Sequence, residues 1–451
     1  MKIKSIILAA GQGTRMKSTK PKVLHQIFNK ALVEYPIEAA KGAGADDICL
    51  IVGHKADEVQ TAIGEGVTYR LQKEQLGTGH AVMQALDFIG DEGEIILLYG
   101  DTPLITEQTL NEMKDFYIKT NCVATVLSAI IDEPTGYGRI VRDVDGEFLR
   151  IVEQKDATED EKKITEINGG MYIFKASWLK SALSQLTNNN ASGEYYLTDV
   201  LDIMASEGGK VSAFVADDSN EILGVNSKLQ LAQATQIMKD KINERHMENG
   251  VIILDPAATY IEPSVQIGQD TVVEPGCMLR GETIIGENCT IGYNSKLTNT
   301  TVQNNTKIES SVLVDSTVGE HTTVGPFAYV RPNSTIGSHV KIGDFVEIKN
   351  AVIGDNTKVS HLTYIGDADV GENVNFGCGT VVVNYDGKQK HRSTIEDNAF
   401  IGCNTNLVSP VVVKENSYVA AGSTITKTVP SNALAIARVK QENKENWIRK
   451  S

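Results

Sequence analysis

The chain has 451 residues, 41% hydrophobic and 22% charged, an ordinary globular composition with room for two or three domains. Its 43 Lys and Arg against 58 Asp and Glu give a net charge of -15, which argues against nucleic acid as a partner. No run approaches the ~18 apolar residues of a membrane span, and the six cysteines show no C-x-x-C pairing, so no membrane partner and reduced thiols in a cytoplasmic protein are expected.

The first half alternates two kinds of segment. "KSIILAA" (4–10), "DICLIVG" (47–53), "EIILLYGD" (94–101) and "CVATVLSAI" (122–130) are short, mostly apolar runs. They read as strands of a largely parallel sheet buried on both faces. "LVEYPIEAAKGAG" and "HAVMQALDFIG" between them read as helices, and the alternation predicts an α/β nucleotide-binding, Rossmann-like fold. In such sheets ligands sit beyond the carboxyl ends of strands. "LAAGQGTRM" (8–16) occupies one such end and "LLYGD" another. "SIILAA" is too short for a signal peptide and leads straight into the glycine loop.

Residues 227–249 read as one helix, with Leu231, Ala234, Met238 and Ile242 on an apolar face, Asn226 or Ser227 as cap and Gly250 as stop. Beyond it the period changes. An aliphatic residue followed by a small or polar one recurs every six residues: Val324, Val330, Ile336, Ile342 and Ile348, and later Ile395, Ile401, Leu407, Val413, Val419 and Ile425. Hexapeptide repeats form parallel β-helices, three hexads to a triangular coil, so residues 260–430 make roughly nine or ten coils. The aliphatic residue points inward, and a small residue lets the chain turn. One stretch, "VVVNYDGKQKHRST" (381–394), breaks the phase and is expected to loop out of the coil, ending in the basic cluster Lys388, Lys390, His391 and Arg392.

The glycine loop lacks the third glycine of a dinucleotide fingerprint, because Met16 stands there, and it carries Arg15 and Lys22. Backbone N–H groups with nearby cations make a phosphate cradle; a plain tight turn with solvated lysines is the other reading. Asp101 ends an apolar strand, where a carboxylate holds Mg²⁺ against phosphates or else caps the next helix. "QLGTGHA" (75–81) is a second glycine loop. In the second half His361 follows the inward Val359 by two and faces outward. It suits general-base work near neutral pH; a solvated histidine on a solenoid face is the alternative. Cys378 and Cys403 have the same outward phase, and with no adjacent base in sequence neither is proposed as a catalytic nucleophile.

"LAAGQGTRM…KPK", "QLGTGHA", "YGDTPL", "GYGRI", "EQKDA", "NGGMYIF", "GEYYLTD" and "GVNS" resemble the sugar-nucleotide pyrophosphorylase signature. The hexad half, with "RP", "EIKNA", "HLTYIGDADVGENVNFGCGT", "NYDGKQK" and "AAGSTIT", is similar to its acetyltransferase partner. Together they resemble the bifunctional bacterial N-acetylglucosamine-1-phosphate uridylyltransferase / glucosamine-1-phosphate N-acetyltransferase family over nearly the whole chain. The resemblance implies a uridylyltransferase domain over 1–228, a helical linker over 229–250 and a left-handed β-helix acetyltransferase domain with its tail over 251–451. It implies a cytoplasmic homotrimer, joined through the β-helix, with the acetyl site between subunits.

The same resemblance implies roles. Arg15 and Lys22 would stabilise the UTP phosphates. Leu8, Ala9, Gly11, Gly13, Gln72, Gly77, Thr78 and Tyr99 would line the nucleotide site, and Asp101 with Asn226 would hold Mg²⁺. Gly138, Glu153, Asn168 and Thr198 would hold the N-acetylglucosamine moiety. His361 would be general base for the amine of glucosamine 1-phosphate, with Arg331, Lys349, Tyr364, Asn375 and Lys390 forming that pocket. Asn384, Tyr385, Ala421 and Arg438 would line the acetyl-CoA groove, beside Cys378 and Cys403. Where the family often has Ala and Ser, this chain has Cys378 and Cys403. Acetyl transfer would come first and feed the uridylyl site.

Overall fold

A computed structural model describes residues 2–190, 193–445 and 447, which form two compact units, 1–238 and 239–451.

The first unit is built on a seven-stranded path of sheet. Ile3–Ala9 pairs in parallel with Asp47–Val52 on one side and Glu94–Tyr99 on the other. Thr68–Leu71 extends the first side in parallel. The sheet is not parallel throughout. Glu166–Lys175 runs antiparallel between Glu94–Tyr99 and Ala124–Ile130, and Val211–Val215 closes the far edge in parallel with the latter. The apolar runs are continuous because both faces are covered. Ile3, Ile7 and Ala9 enter one core cluster, while Ile6, Leu8 and Ala10 enter the other. Each fully buried Ile or Leu contributes about 1.5–3 kcal/mol by leaving water.

"HAVMQALDFIG" is not one helix. It breaks at Gln84-Ala85 into Thr78–Met83 and Leu86–Ile89. The helix Lys228–Glu248 does form as one. Ser227 accepts from Gln230 N at 3.2 Å, and the Gln230 side chain accepts from Asn226 N at 2.9 Å, a reciprocal cap.

The second unit is a parallel β-helix with three walls of 11, 10 and 9 strands. Successive coils stack inward residues in register, as Val324–Ile342–Val359–Phe376–Ile401–Val419 on one wall. All six are at most 3% exposed. The corners combine two devices: the glycine after the inward aliphatic, as at Gly286 and Gly402, leaves no room for a Cβ against the next coil, and an asparagine follows. Asn288, Asn294, Asn333, Asn356, Asn373, Asn398, Asn404 and Asn416 have left-handed φ between 54 and 62°, three residues after an inward aliphatic. Asparagine tolerates this conformation because its short polar side chain bonds locally. Four residues after an inward aliphatic, Cys277, Cys289, Ser295 and Ala328 are buried inside, where little volume remains.

The phase break is also shorter than expected. Val381–Val383 and Ser393–Ile395 stay in their walls, and residues 384–392 alone leave the coil. Its basic cluster is partly neutralised: His391 meets Asp386 at 2.7 Å and Arg392 meets Asp369 at 2.5 Å. Among the described residues no helix is long and apolar enough to cross a membrane.

Candidate functional sites

In the first unit, the strand ends open onto a cleft of about 710 Å³. Leu8, Ala9, Gly11, Arg15, Lys22, Gln72, Gly77, Thr78, Tyr99, Asp101, Asn168 and Asn226 all line it. A smaller cavity of about 300 Å³ shares Thr78, Tyr99 and Asn168 with the cleft and adds Glu153 and Thr198. Two residues expected in this site line neither. Gly13 turns the loop at φ 63°, and a Cβ there would sit 2.6 Å from Lys22 Cβ, so it lets the lysine stem pack close. Gly138 accepts from Asn168 N at 2.9 Å and lies against the Glu153 carboxylate.

The centre of this cleft is polar. Lys22 Nζ lies 2.5 Å from Asp101 Oδ2 and 3.0 Å from Asn226 Oδ1. The backbone brings these oxygens together, since Val225 N donates to Asp101 O at 2.8 Å. Two hard oxygens therefore converge on one cationic point, which fits a divalent ion completed by phosphate oxygens. Asp101 is not a helix cap. The next helix starts at Glu107 and is capped by Thr106, whose side chain accepts from Thr109 N.

Each neighbour is held by a specific contact. Gln72, 3% exposed, donates to Gly77 O at 3.1 Å and meets His80 Nδ1 at 3.2 Å. Gly77, at φ 112°, has no room for a Cβ beside Tyr195 O. Asn168 sits at a bulge in Glu166–Lys175, where its Oδ1 accepts from Gly170 N at 2.8 Å. Bulges re-aim side chains in this way. Burial pushes the Glu153 carboxyl up, helped by the charges of Asp156 and Asp199. Gln75, Tyr137 and Glu194 also line the cleft. Sequence reasoning misses them: they fall within "QLGTGHA", "GYGRI" and "GEYYLTD", but no spacing there marks them as ligands.

In the second unit the sites stack along the solenoid. Asp344 pairs with His361 one coil on, and Asp344 Oδ1 lies 2.6 Å from His361 Nδ1. His361 holds the Asp344 carboxyl below the usual range by that hydrogen bond. The carboxylate fixes the proton on Nδ1 and leaves Nε2 as the basic nitrogen. Sequence reasoning misses Asp344 as well; its signal is the interval of one coil, 17 residues, before His361.

A cationic group lies on the adjacent wall. Arg331 Nη1 donates to Glu347 Oε1 at 2.8 Å. Lys349 is held below its ordinary pKa by contact with Lys390, then by burial. Asp367 accepts from Asn350 at 2.5 Å and from Asn384. Burial would raise its pKa, but these bonds and the charges of Lys349 and Lys390 outweigh that and lower it. Asn384 also donates to the Tyr364 hydroxyl at 3.3 Å. Arg331, Lys349, Tyr364, Asn384 and Lys390 are thus brought together. Asn375 is on the His361 wall instead, paired with Lys358 and Phe400. Tyr385 is 56% exposed in the 384–392 loop, bridged to Lys390. Arg438 passes beside Gly422, next to Ala421.

Comparison with known proteins then decides the family. Residues 4–254 match the Nucleotidyl transferase family, residues 260–331 the GMPPB C-terminal domain, and residues 315–350 and 392–427 the Bacterial transferase hexapeptide (six repeats) family. A "Bifunctional protein GlmU" of Caldanaerobacter subterraneus subsp. tengcongensis is 53% identical, over 98% of this chain and 97% of its own. One of Clostridioides difficile is 54% identical, over 100% of this chain and 98% of its own. The chain belongs to the bifunctional GlmU family. A GlmU protein is an enzyme of UDP-N-acetylglucosamine biosynthesis with a uridylyltransferase domain and a hexapeptide acetyltransferase domain, and this chain has both. The GlmU coil is a left-handed β-helix. GlmU chemistry draws on a divalent metal and on acetyl-CoA.

Proposed function

We propose that the first unit joins UTP to N-acetylglucosamine 1-phosphate, releasing pyrophosphate, in the cleft around Lys22, Asp101 and Asn226. Arg15 and Lys22 neutralise the phosphate oxygens, and Gln72, Gly77 and Thr78 seat the nucleotide. Glu153, Asn168 and Thr198 hold the sugar in the adjoining cavity and aim its phosphate at the α-phosphorus. Asp101 and Asn226 would hold Mg²⁺, which supplies further positive charge at the phosphates. Such transfer depends on positioning and charge neutralisation.

The second unit acetylates glucosamine 1-phosphate beforehand. Arg331, Lys349 and Lys390 bind its phosphate, with Tyr364 and Asn375 beside the sugar. His361 Nε2 removes a proton from the amine as it attacks the thioester carbon of acetyl-CoA, and the coenzyme A thiolate leaves. Asn384, Tyr385, Ala421 and Arg438 line the acetyl-CoA groove. The Asp344–His361 pair carries this reading, because an oriented imidazole on an otherwise solvated face serves a proton transfer.

The assembly is a cytoplasmic homotrimer through the β-helix. The supporting observation is an apolar ladder beside the histidine. Phe345 follows Asp344 and Leu362 follows His361; Phe327, Phe345 and Leu362 are 54%, 58% and 56% exposed, and the two phenyl rings stack at 5.5 Å. Apolar groups exposed in a row mark an interface. Glucosamine 1-phosphate, acetyl-CoA, UTP and Mg²⁺ are supplied together, and free thiol and pyrophosphate are followed separately. Both products are expected; either one without the other refutes the division of labour.

A further inference from the structure

One corner of the β-helix repeats the same position in successive coils. Asp344 and His361 are ladder partners there, and Leu362 N donates to Asp344 O at 3.0 Å. The same bond recurs two coils on, where Asn404 N donates to Cys378 O at 2.7 Å, and again where Gly422 N donates to Cys403 O at 2.8 Å. Asn375–Phe400 and Phe376–Ile401 fix the register just before it. The column therefore runs Asp344, His361, Cys378, Cys403, Ala421. Asp344 touches His361, so neighbouring side chains in this column are within reach of each other.

Of the six cysteines, Cys49, Cys122, Cys277 and Cys289 are buried, and Cys403 is exposed with Cys378 half-buried beside it. Burial pushes the Cys49 thiol up to about 12 and that of Cys277 up to about 11, which makes them inert to soluble oxidants. Neighbouring strands lie about 4.8 Å apart, inside the Cα separation of roughly 4.4–6.8 Å that a disulfide requires.

We propose that Cys378 and Cys403 form a redox-responsive dithiol that a low-molecular-weight disulfide closes into a disulfide, switching off acetyl transfer alone. One cysteine thiolate attacks a sulfur of the soluble disulfide, forming a mixed disulfide and releasing one thiolate. The second cysteine thiolate then attacks the cysteine sulfur of the mixed disulfide. The second small thiolate leaves, and protonation of both gives two small thiols from one small disulfide. The switching effect rests on the reading of this column as the acyl site. There, closure removes both S–H donors between His361 and Ala421, where the thioester sulfur and its leaving thiolate would be met.

Oxidised glutathione is added in excess to the reduced full chain, and intact mass, a peptide map and both activities are followed. The expected product has lost two hydrogens, carries no glutathione and yields a linked peptide pair containing Cys378 and Cys403. Acetyl transfer falls about tenfold or more, uridylyl transfer is unchanged, and dithiothreitol restores the starting state. Cys378→Ala and Cys403→Ser each end instead as a single glutathione adduct. Saturating acetyl-CoA slows closure severalfold. Stable adducts on both wild-type cysteines, or links only between chains, overturn the dithiol. Closure that leaves acetyl transfer intact overturns the switch, whereas closure that saturating acetyl-CoA does not slow overturns the acyl-site reading of the column.

Discussion

The two units solve the same problem in opposite ways. In the α/β unit the site is enclosed by its own strand ends: a cleft of about 710 Å³ collects residues from positions 8 to 230 of one chain. In the β-helix the reactive groups stand on an outer corner, and His361 has 57% of its side chain exposed. A row of strand ends with its loops makes its own concavity, whereas a straight solenoid offers faces and needs something laid against them. Enclosure by fold and enclosure by assembly should therefore respond differently to damage.

The sharpest way to break that contrast is to remove one reactive group from each unit. His361→Ala is expected to lower acetyl transfer by about 10²–10⁴ and to leave uridylyl transfer unchanged, with Asp101→Ala doing the converse; thiol and pyrophosphate release read the two separately. Loss of both activities in a folded variant defeats the idea of independent sites. Next comes Asp344→Asn, which keeps the shape but loses the anion that orients His361. Acetyl transfer should fall about 10- to 100-fold, in kcat more than in KM.

Phe345→Asp tests enclosure by assembly. Light scattering should show the complex falling to single chains, acetyl transfer should drop more than tenfold, and uridylyl transfer should persist. Persistence of acetyl transfer in monomers would mean that one solenoid face suffices. The smallest effect concerns Glu153. Its pKa is raised, so it takes up a proton at higher pH than an ordinary carboxyl. KM for N-acetylglucosamine 1-phosphate should rise as pH is lowered and Glu153 takes up its proton, with the rise beginning at a higher pH than an ordinary carboxyl would give, and Glu153→Gln should flatten that dependence.

Sequence made some of this visible and concealed the rest for definite reasons. The hexads are legible because inward packing repeats every six residues, and Ile342 or Ile401 has no alternative to burial. The antiparallel direction of Glu166–Lys175 is not legible, since direction leaves no mark on its continuously buried stretch Met171–Phe174. The corner asparagines are harder to see than the small residues, because many other asparagines are scattered through the chain, although Asn294 and Asn404 sit at a fixed offset from the aliphatics. Asp101 could be a metal ligand or a cap in the sequence, and Thr106 resolves that by taking the cap. Asp344 and Asp367 acquire meaning only once coils are stacked, because their partners His361 and Asn384 are each 17 residues away.

The 384–392 excursion also has a bearing on how the solenoid assembles. Each coil lies on the one before it, so the growing edge offers a ready template and the wall can zip forward as chain emerges. Most steps close a segment of 17 or 18 residues, as from Asp344 to His361 and from Phe400 to Tyr418. Across the excursion Ser393 must find Ala368, 25 residues earlier. Loop-closure entropy grows only with the logarithm of length, so the longer step costs about 0.3 kcal/mol more. A loop bearing Lys390 and Tyr385 can thus be inserted into a regular coil with almost no slowing of its propagation.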